Sequence, residues 1–439
     1  MTARNAMTHV HHIPLLIALL IYIVSIPYFG YAKQATYTSQ HKVTISVSSI
    51  KTAKKPVINI NTDGIKNSDH INHHNFGTKA THAILVDYDT GAILFAKNST
   101  VQMVPSSMTK IMTIYLAFQA LKEGWMHLDD LCNVSKKAWS MQGSKMFLNI
   151  NDSVRVEDLI KGVTVESGND ACIALAEKMS GSEEVFARHM NEMAQKLGLK
   201  HSNFLNASGW PEDGHYTTAS DLAMLSIALI RDFSEYYHYN AEKEFRYNNI
   251  TQQNRNTLLG IDGVDGIKTG HTDVAGYGIV TSAKRNHIRL IGVVNGLGTM
   301  KEREQEAIKL LNYGFQNFQH DVLYKPNDTV LQANIIYGNK THVALTVEKT
   351  AILILPKSKI QNSDRLVKIR YYDNMTAPIK KGTKMGELII KQQTLDSTEL
   401  VMPLVAAETI EVGNFLQHFL QNIEIIFFRK SKNVQGIAP

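Results

Sequence analysis

Residues 83–95, Ala83-Ile84-Leu85-Val86-Asp87-Tyr88-Asp89-Thr90-Gly91-Ala92-Ile93-Leu94-Phe95, place two short apolar runs on either side of a Gly-containing turn. That arrangement is the signature of a β-hairpin. Downstream, helical spacing runs from Ser107 to about Met193, interrupted by Gly-containing loops. Strand patterns return at Gly263–Lys268, Tyr277–Ala283 and Leu290–Val294, and a helix is expected from about Lys301 to Phe318. Strands at both ends with helices between them predict an α+β domain over residues 78–320, one antiparallel sheet with helices packed against it.

Beyond that domain the pattern changes. Residues 321–412 carry short β-type runs, such as His342–Val347, Ala351–Leu355 and Val367–Tyr372, which define a separate, small all-β domain. In the tail, residues 413–439, Phe415, Leu416, Phe419, Leu420, Ile423, Ile426 and Phe427 follow i, i+3, i+4 spacing, with Arg429, Lys430 and Lys432 directly after. An amphipathic helix with a basic end suits the interface of an anionic membrane. The competing use of such a face is packing on the chain's own β domain.

Upstream of the hairpin, residues 33–77 are rich in Ser, Thr, Asn, Lys and His without an apolar period, and read as a flexible linker. His70, His73 and His74 fall there and are taken as solvated linker residues, so no metal and no cofactor is expected. Within residues 1–32, Arg4 precedes an apolar run from Ile13 to Ile26 and the small-x-small pattern Gly30-Tyr31-Ala32. This is the layout of a secretory signal peptide; an uncleaved anchor is the alternative, and both export the rest of the chain.

The 439 residues suit two domains plus tails, and 44% hydrophobic with 20% charged residues is a globular composition. A net charge of +6 suits work beside anionic lipid or wall polymer, while the lack of a dense Lys/Arg patch argues against nucleic acid. Two cysteines, Cys132 and Cys172, are too few for a disulfide-stapled scaffold. Cys172 reads as a buried small hydrophobe, and a Cys132–Cys172 bridge is left open.

Three short motifs carry the chemistry. In Pro105-Ser106-Ser107-Met108-Thr109-Lys110, the proline before a helical run puts Ser107 near a helix start. Lys110 then lies one turn away on the same face. A serine hydroxyl is a poor nucleophile without a base, and a lysine serves as one if burial or a nearby cation lowers its pKa. Ser167-Gly168-Asn169, in a loop between two helical stretches, offers a second hydroxyl and an amide. Lys268-Thr269-Gly270, ending an apolar strand, offers a cation and hydroxyl for a carboxylate, with Gly270 letting a substrate backbone approach. Each alone is a weak signal; all three in this order, on these element types, are a strong one.

The set resembles the active-site motifs of penicillin-binding proteins and β-lactamases, and the longer matches resemble the low-molecular-mass D-alanyl-D-alanine carboxypeptidases. Besides Pro105 to Met112 and Ser167 to Ala171, these are Gly214-His215-Tyr216-Thr217-Thr218-Ala219, Ile250-Thr251-Gln252-Gln253-Asn254-Arg255-Asn256 and Val264 to Thr272. Ala377-Pro378-Ile379-Lys380-Lys381-Gly382 and Pro403-Leu404-Val405-Ala406-Ala407-Glu408 resemble that family's C-terminal β domain. The resemblance implies a β-lactamase/transpeptidase-like catalytic domain followed by the small all-β domain.

It also implies roles. Ser107 would attack the penultimate D-alanine carbonyl of a peptidoglycan stem peptide ending in D-Ala-D-Ala. Lys110 would take its proton, Ser167 would relay one to the leaving amine, and Lys268 would hold down the pKa of Lys110. Asn169 would hydrogen-bond substrate, Thr269 and Arg255 would bind the terminal carboxylate, and the backbone N–H groups of Ser107 and His271 would form the oxyanion hole. β-Lactam antibiotics would be covalent inhibitors, and the enzyme would sit peripherally on the periplasmic face of the cytoplasmic membrane. Ser106 replaces a common alanine and Ser220 a common arginine.

Two rivals share parts of this pattern. A class A-like β-lactamase needs a glutamate downstream of the second motif to activate water. The comparable stretch, Ser202-Asn203-Phe204-Leu205-Asn206, has none at its start, and Glu166 precedes Ser167 directly. A non-catalytic peptidoglycan-binding scaffold would be expected to lose Ser107, Lys110 or Lys268, and all three are present.

Overall fold

The computed structural model describes residues 76–357, 366–392 and 399–422, and residues 41–48 as backbone. In chain order the strands are β1 (His41–Ser48), β2 (His82–Asp87), β3 (Ile93–Lys97), β4 (Leu131–Asn133), β5 (Ser153–Arg155), β6 (Glu244–Tyr247), β7 (Ile250–Gln253), β8 (Val264–Thr272), β9 (Gly276–Arg285) and β10 (Ile288–Leu297). Helices between and after them are α1 (Lys110–Glu123), α2 (Lys136–Ser140), α3 (Val156–Thr164), α4 (Asn169–Ser180), α5 (Glu183–Lys196), α6 (Ala219–Asp232) and α7 (Met300–Asn317).

The Ala83–Phe95 stretch forms the expected hairpin, with Asp87 capping its turn by accepting from the N–H and hydroxyl of Thr90. It pairs into a five-stranded antiparallel sheet of order β3-β2-β10-β9-β8, which leaves β8 at an edge. Alternation along these strands serves two cores. Ile84, Val86, Val280, Ile291 and Val293 face the large cluster built by α1 and α3–α6. Ala83, Leu85, Ile279, Ala283, Leu290 and Val294 face α7, whose Ala307, Leu310 and Leu311 cover the opposite side. Ser182, Thr218 and Thr299 cap α5, α6 and α7 by accepting backbone N–H bonds, which explains where those helices begin.

After α7 come β11 (Phe318–Tyr324), β12 (Leu331–Ile336), β13 (His342–Val347), β14 (Ala351–Pro356), β15 (Leu366–Asp373), β16 (Met375–Thr376), β17 (Lys384–Lys391) and β18 (Glu399–Ala406). They form a seven-stranded sheet of order β1-β15-β17-β18-β13-β12-β16 and a two-stranded β11-β14 ribbon. Leu345, Leu353, Leu355, Leu388, Ile390 and Leu404 fill the core between them.

The structure departs from the sequence-based reading at residues 41–48 and at the third motif, and it answers the question left open for the two cysteines. The linker expectation for 33–77 fails at 41–48, an edge strand whose alternating Val43, Ile45 and Val47 were masked by the polar residues around them. Cys132 and Cys172 are both buried and free, not bridged. The third motif lies inside β8, not at its end. The expected signal segment 1–32, the histidines 70, 73 and 74, and the tail beyond 422 lie outside the described residues.

Candidate active site

Ser107 sits in a 3-10 turn, Ser106–Thr109, that runs directly into α1. Lys110 opens α1 fully buried, with its Nζ 2.9 Å from Ser107 Oγ. The same nitrogen donates to Asn169 Oδ1 at 2.7 Å and to the Ser208 carbonyl at 2.6 Å. A neutral amine has two N–H donors and one lone pair. The two oxygens use the donors and leave the lone pair for the Ser107 hydroxyl, which is the geometry of a base at its nucleophile.

Burial is the first cause that lowers the Lys110 pKa, while Cys172 and Asp170 push it up. Lys268, also buried, is held well below the usual ammonium range by burial first and by Lys110 second. Among the described residues its Nζ finds only the Thr269 carbonyl, at 3.3 Å. Burial comes first for both amines, and the repulsion between two such neighbouring cations is mutual.

The second motif is braced from both sides. Ser167 is buried at φ +61°, and Asn169 starts α4, donating from Nδ2 to Gln142 O at 2.7 Å. Asp170 accepts from the N–H groups of Met146 and Leu148 at 3.0 and 3.2 Å, which holds the 142–148 loop beside Asn169.

Edge strand β8 is stitched to the nucleophile turn. Ser106 Oγ lies 3.2 Å from Thr272 Oγ1, a bond that the common alanine at this position could not make. A Cβ at Gly270 would stand 3.0 Å from Pro105 O and 3.2 Å from Ser106 Cβ. Gly270 thus serves the approach of the turn, a reason different from the expected substrate contact. Thr269 is buried beside it, and the exposed His271 stacks its ring 3.9 Å from that of Tyr277. Arg255 is exposed; its N–H donates to Val165 O at 3.4 Å and its Nη2 to Gln252 Oε1 at 3.1 Å.

Three contributors had no place in the motif reading. Ser208 supplies the carbonyl for Lys110, and Gly209, at φ +77°, lets that segment pass where a Cβ would meet Ser106 O at 1.8 Å. His215 accepts from Leu205 N–H at Nδ1, so its Nε2–H donates to Thr109 Oγ1 at 2.9 Å; burial, then Lys110, pushes its pKa down to about 4, keeping it neutral. Glu166, fully buried, has no hydrogen-bond partner for either carboxylate oxygen among the described residues. The Ser208-Gly209 pair is the signal that could have pointed to the first.

A half-buried serine with a buried amine at its hydroxyl, set against an edge strand, is the arrangement of a serine acyl-transfer enzyme. The D-alanyl-D-alanine carboxypeptidase family model matches residues 69–299, and that of the penicillin-binding protein 5 C-terminal domain matches residues 318–412. The chain is 36% identical over 348 residues to D-alanyl-D-alanine carboxypeptidase DacF of Bacillus subtilis (strain 168), covering 77% of this chain and 87% of that one. It is 40% identical over 343 residues to DacC of Escherichia coli (strain K12), covering 76% and 84%. Penicillin-binding protein 5 from Haemophilus influenzae superposes with a TM-score of 0.67 at 37% identity, over 79% of this chain and all of that one. The chain belongs to the D-alanyl-D-alanine carboxypeptidase family.

Proposed function

We propose that the chain releases the terminal D-alanine of peptidoglycan stem pentapeptides through an acyl-enzyme on Ser107. The observation that carries this reading is the 2.9 Å approach of the buried Lys110 Nζ to Ser107 Oγ. Lys110 takes the hydroxyl proton as Oγ attacks the penultimate D-alanine carbonyl, with the N–H groups of Ser107 and His271 facing the developing oxyanion. Ser167 passes its hydroxyl proton to the leaving amine and takes the one held by Lys110, so the C–N bond breaks and Lys110 is neutral again. Water then attacks the ester, Lys110 takes its proton and returns it to Ser107 Oγ, and the shortened peptide leaves. Lys268, Thr269 and Arg255 hold the terminal carboxylate, Asn169 orients Lys110 and substrate, and Gly270 keeps β8 close. β-Lactams acylate the same serine. The test is D-alanine release from a pentapeptide by the purified protein; intact pentapeptide after prolonged incubation sinks the reading.

The catalytic domain is taken as 78–320 and the β domain as 321–412, with residues 1–32 directing export and 413–439 resting on the outer face of the cytoplasmic membrane. Supporting the last point, residues 415–422 are helical and turn their polar side inward. Gln421 Oε1 accepts from Tyr337 N–H at 2.6 Å, Asn422 Oδ1 from Tyr337 OH at 2.9 Å, and His418 Nε2 lies 3.1 Å from Tyr337 O. Phe415, Leu416 and Leu420 remain exposed. No helix among the described residues is long and apolar enough to cross a membrane, which suits peripheral attachment.

A further inference from the structure

Two buried ionisable groups beside the second motif go unused in the proposed mechanism, Glu166 and Asp170, and Glu166 is the one without a hydrogen-bond partner among the described residues. It directly precedes Ser167, is fully buried, and neither oxygen has a partner among the described residues. An unpaired carboxylate in such a place costs several kcal/mol, so the group stays protonated unless a cation reaches it. Two charged groups act on it: Asp170 from the first turn of α4, and Arg255 from the loop after β7. Asp170 is committed to the N–H groups of Met146, Leu148 and Ala171. Arg255 is not committed to any carboxylate. Its backbone is tied to Val165, the residue before Glu166, and its guanidinium to Gln252. The Gln252 amide lies beside Glu166 but donates to Lys145 O at 2.8 Å.

We propose that Glu166 is a specificity and positioning residue: uncharged, it leaves Arg255 free to bind the substrate's terminal carboxylate, and charged, it competes with that carboxylate for the same guanidinium. This rests on the carboxypeptidase reading above and adds to it a group that discriminates acid-ended from neutral-ended peptides. Burial first, then Asp170, pushes the Glu166 carboxyl up to about 8, with Arg255 and then the neighbouring Gln252 amide pulling the other way. The carboxyl is therefore neutral below that pH and loses its proton to water above it. Acid-ended peptides should bind well at neutral pH and progressively worse in mild alkali.

The experiment measures KM and kcat against pH for two peptides that differ only in a free or amidated C-terminal D-alanine. In wild type, KM for the free acid should rise about tenfold between about pH 7 and about pH 9.5, the size of one weakened charge-assisted contact. The amidated peptide should show no such rise. In Glu166→Gln, an uncharged near-isostere, the free-acid KM should stay flat at the neutral-pH value. An equal rise in Glu166→Gln, or an equal rise for the amidated peptide in wild type, overturns the proposal; the second comparison needs no variant to fold. Wild-type protein that cleaves neither peptide, releasing no D-alanine from the free acid and no D-alaninamide from the amide, would overturn the carboxypeptidase reading, and this proposal with it.

Discussion

The two halves of the molecule treat buried charge in opposite ways. Between residues 78 and 320 the interior holds Asp87, Lys110, Glu166, Asp170, Asp221, Lys268, Arg303 and Glu306. Between 321 and 412 the buried polar side chains among the described residues are Thr346 and Gln392, and Leu, Ile and Val fill the rest. Burying an ionisable group costs free energy unless it is fully paired. Lys268, Glu166 and the Arg303 Nε are not fully paired among the described residues, and the first two lie at the site. On the proposed mechanism, the catalytic half gives up stability to keep an amine neutral enough to act as a base; the β domain has no such demand and packs as an apolar core.

The largest effect that would sharpen this contrast is on Lys110. Lys110→Met keeps the side-chain length and removes the base, and should slow acylation by a β-lactam about 10²–10⁴-fold, the usual worth of a positioned base. Stopped-flow labelling within tenfold of wild type would break the assignment. Because the base must be neutral, wild-type acylation should fall as pH drops through a pKa below that of an ordinary lysine.

A core cut in the other half should do the reverse. Leu404 is fully buried between β17 and β13. Leu404→Ala should destabilise the β domain by about 2–5 kcal/mol, while kcat/KM on a soluble pentapeptide stays within about twofold. A loss of activity that tracks the loss of stability would mean the halves are not separable in this way.

A smaller effect concerns pH. The Glu166 carboxyl titrates at about 8 in the folded chain against an ordinary value of 4.5. The unfolded chain therefore ionises first, and stability falls as pH rises across that window. Glu166→Gln should lose less stability than wild type between those pH values, read as slower hydrogen exchange in α3 and α4 at alkaline pH. Identical exchange in both proteins would show that the burial cost is met elsewhere. Smallest of all, Ser106→Ala deletes the bond to Thr272 and should cost about 0.5–1.5 kcal/mol, visible as a shift in the denaturant midpoint.

Much of this was legible in the sequence because its signals are local. The hairpin around Gly91, the strand runs near 264, 277 and 290, and the tetrad from Ser107 to Lys110 each declare themselves within a few residues. The partners that give Lys110 its character do not. Asn169 lies 59 residues away and the Ser208 carbonyl 98, and a backbone carbonyl leaves no trace in residue identity. Gly270 was recognisable as a tight position, yet only the fold reveals that Pro105 and Ser106 crowd it. Strand β1 was missed because its alternation spans few residues inside a polar stretch. Glu166 looked like an ordinary residue before a motif until burial left it without a partner.

The central claim is that Ser107, and no other serine, carries the acyl group. Labelled penicillin followed by peptide mapping tests it on wild type and Ser107→Ala together. One adduct on the peptide containing Ser107, and none on a Ser107→Ala protein with unchanged thermal unfolding, is the predicted result. A folded Ser107→Ala protein that still takes up the label on another serine would contradict the account.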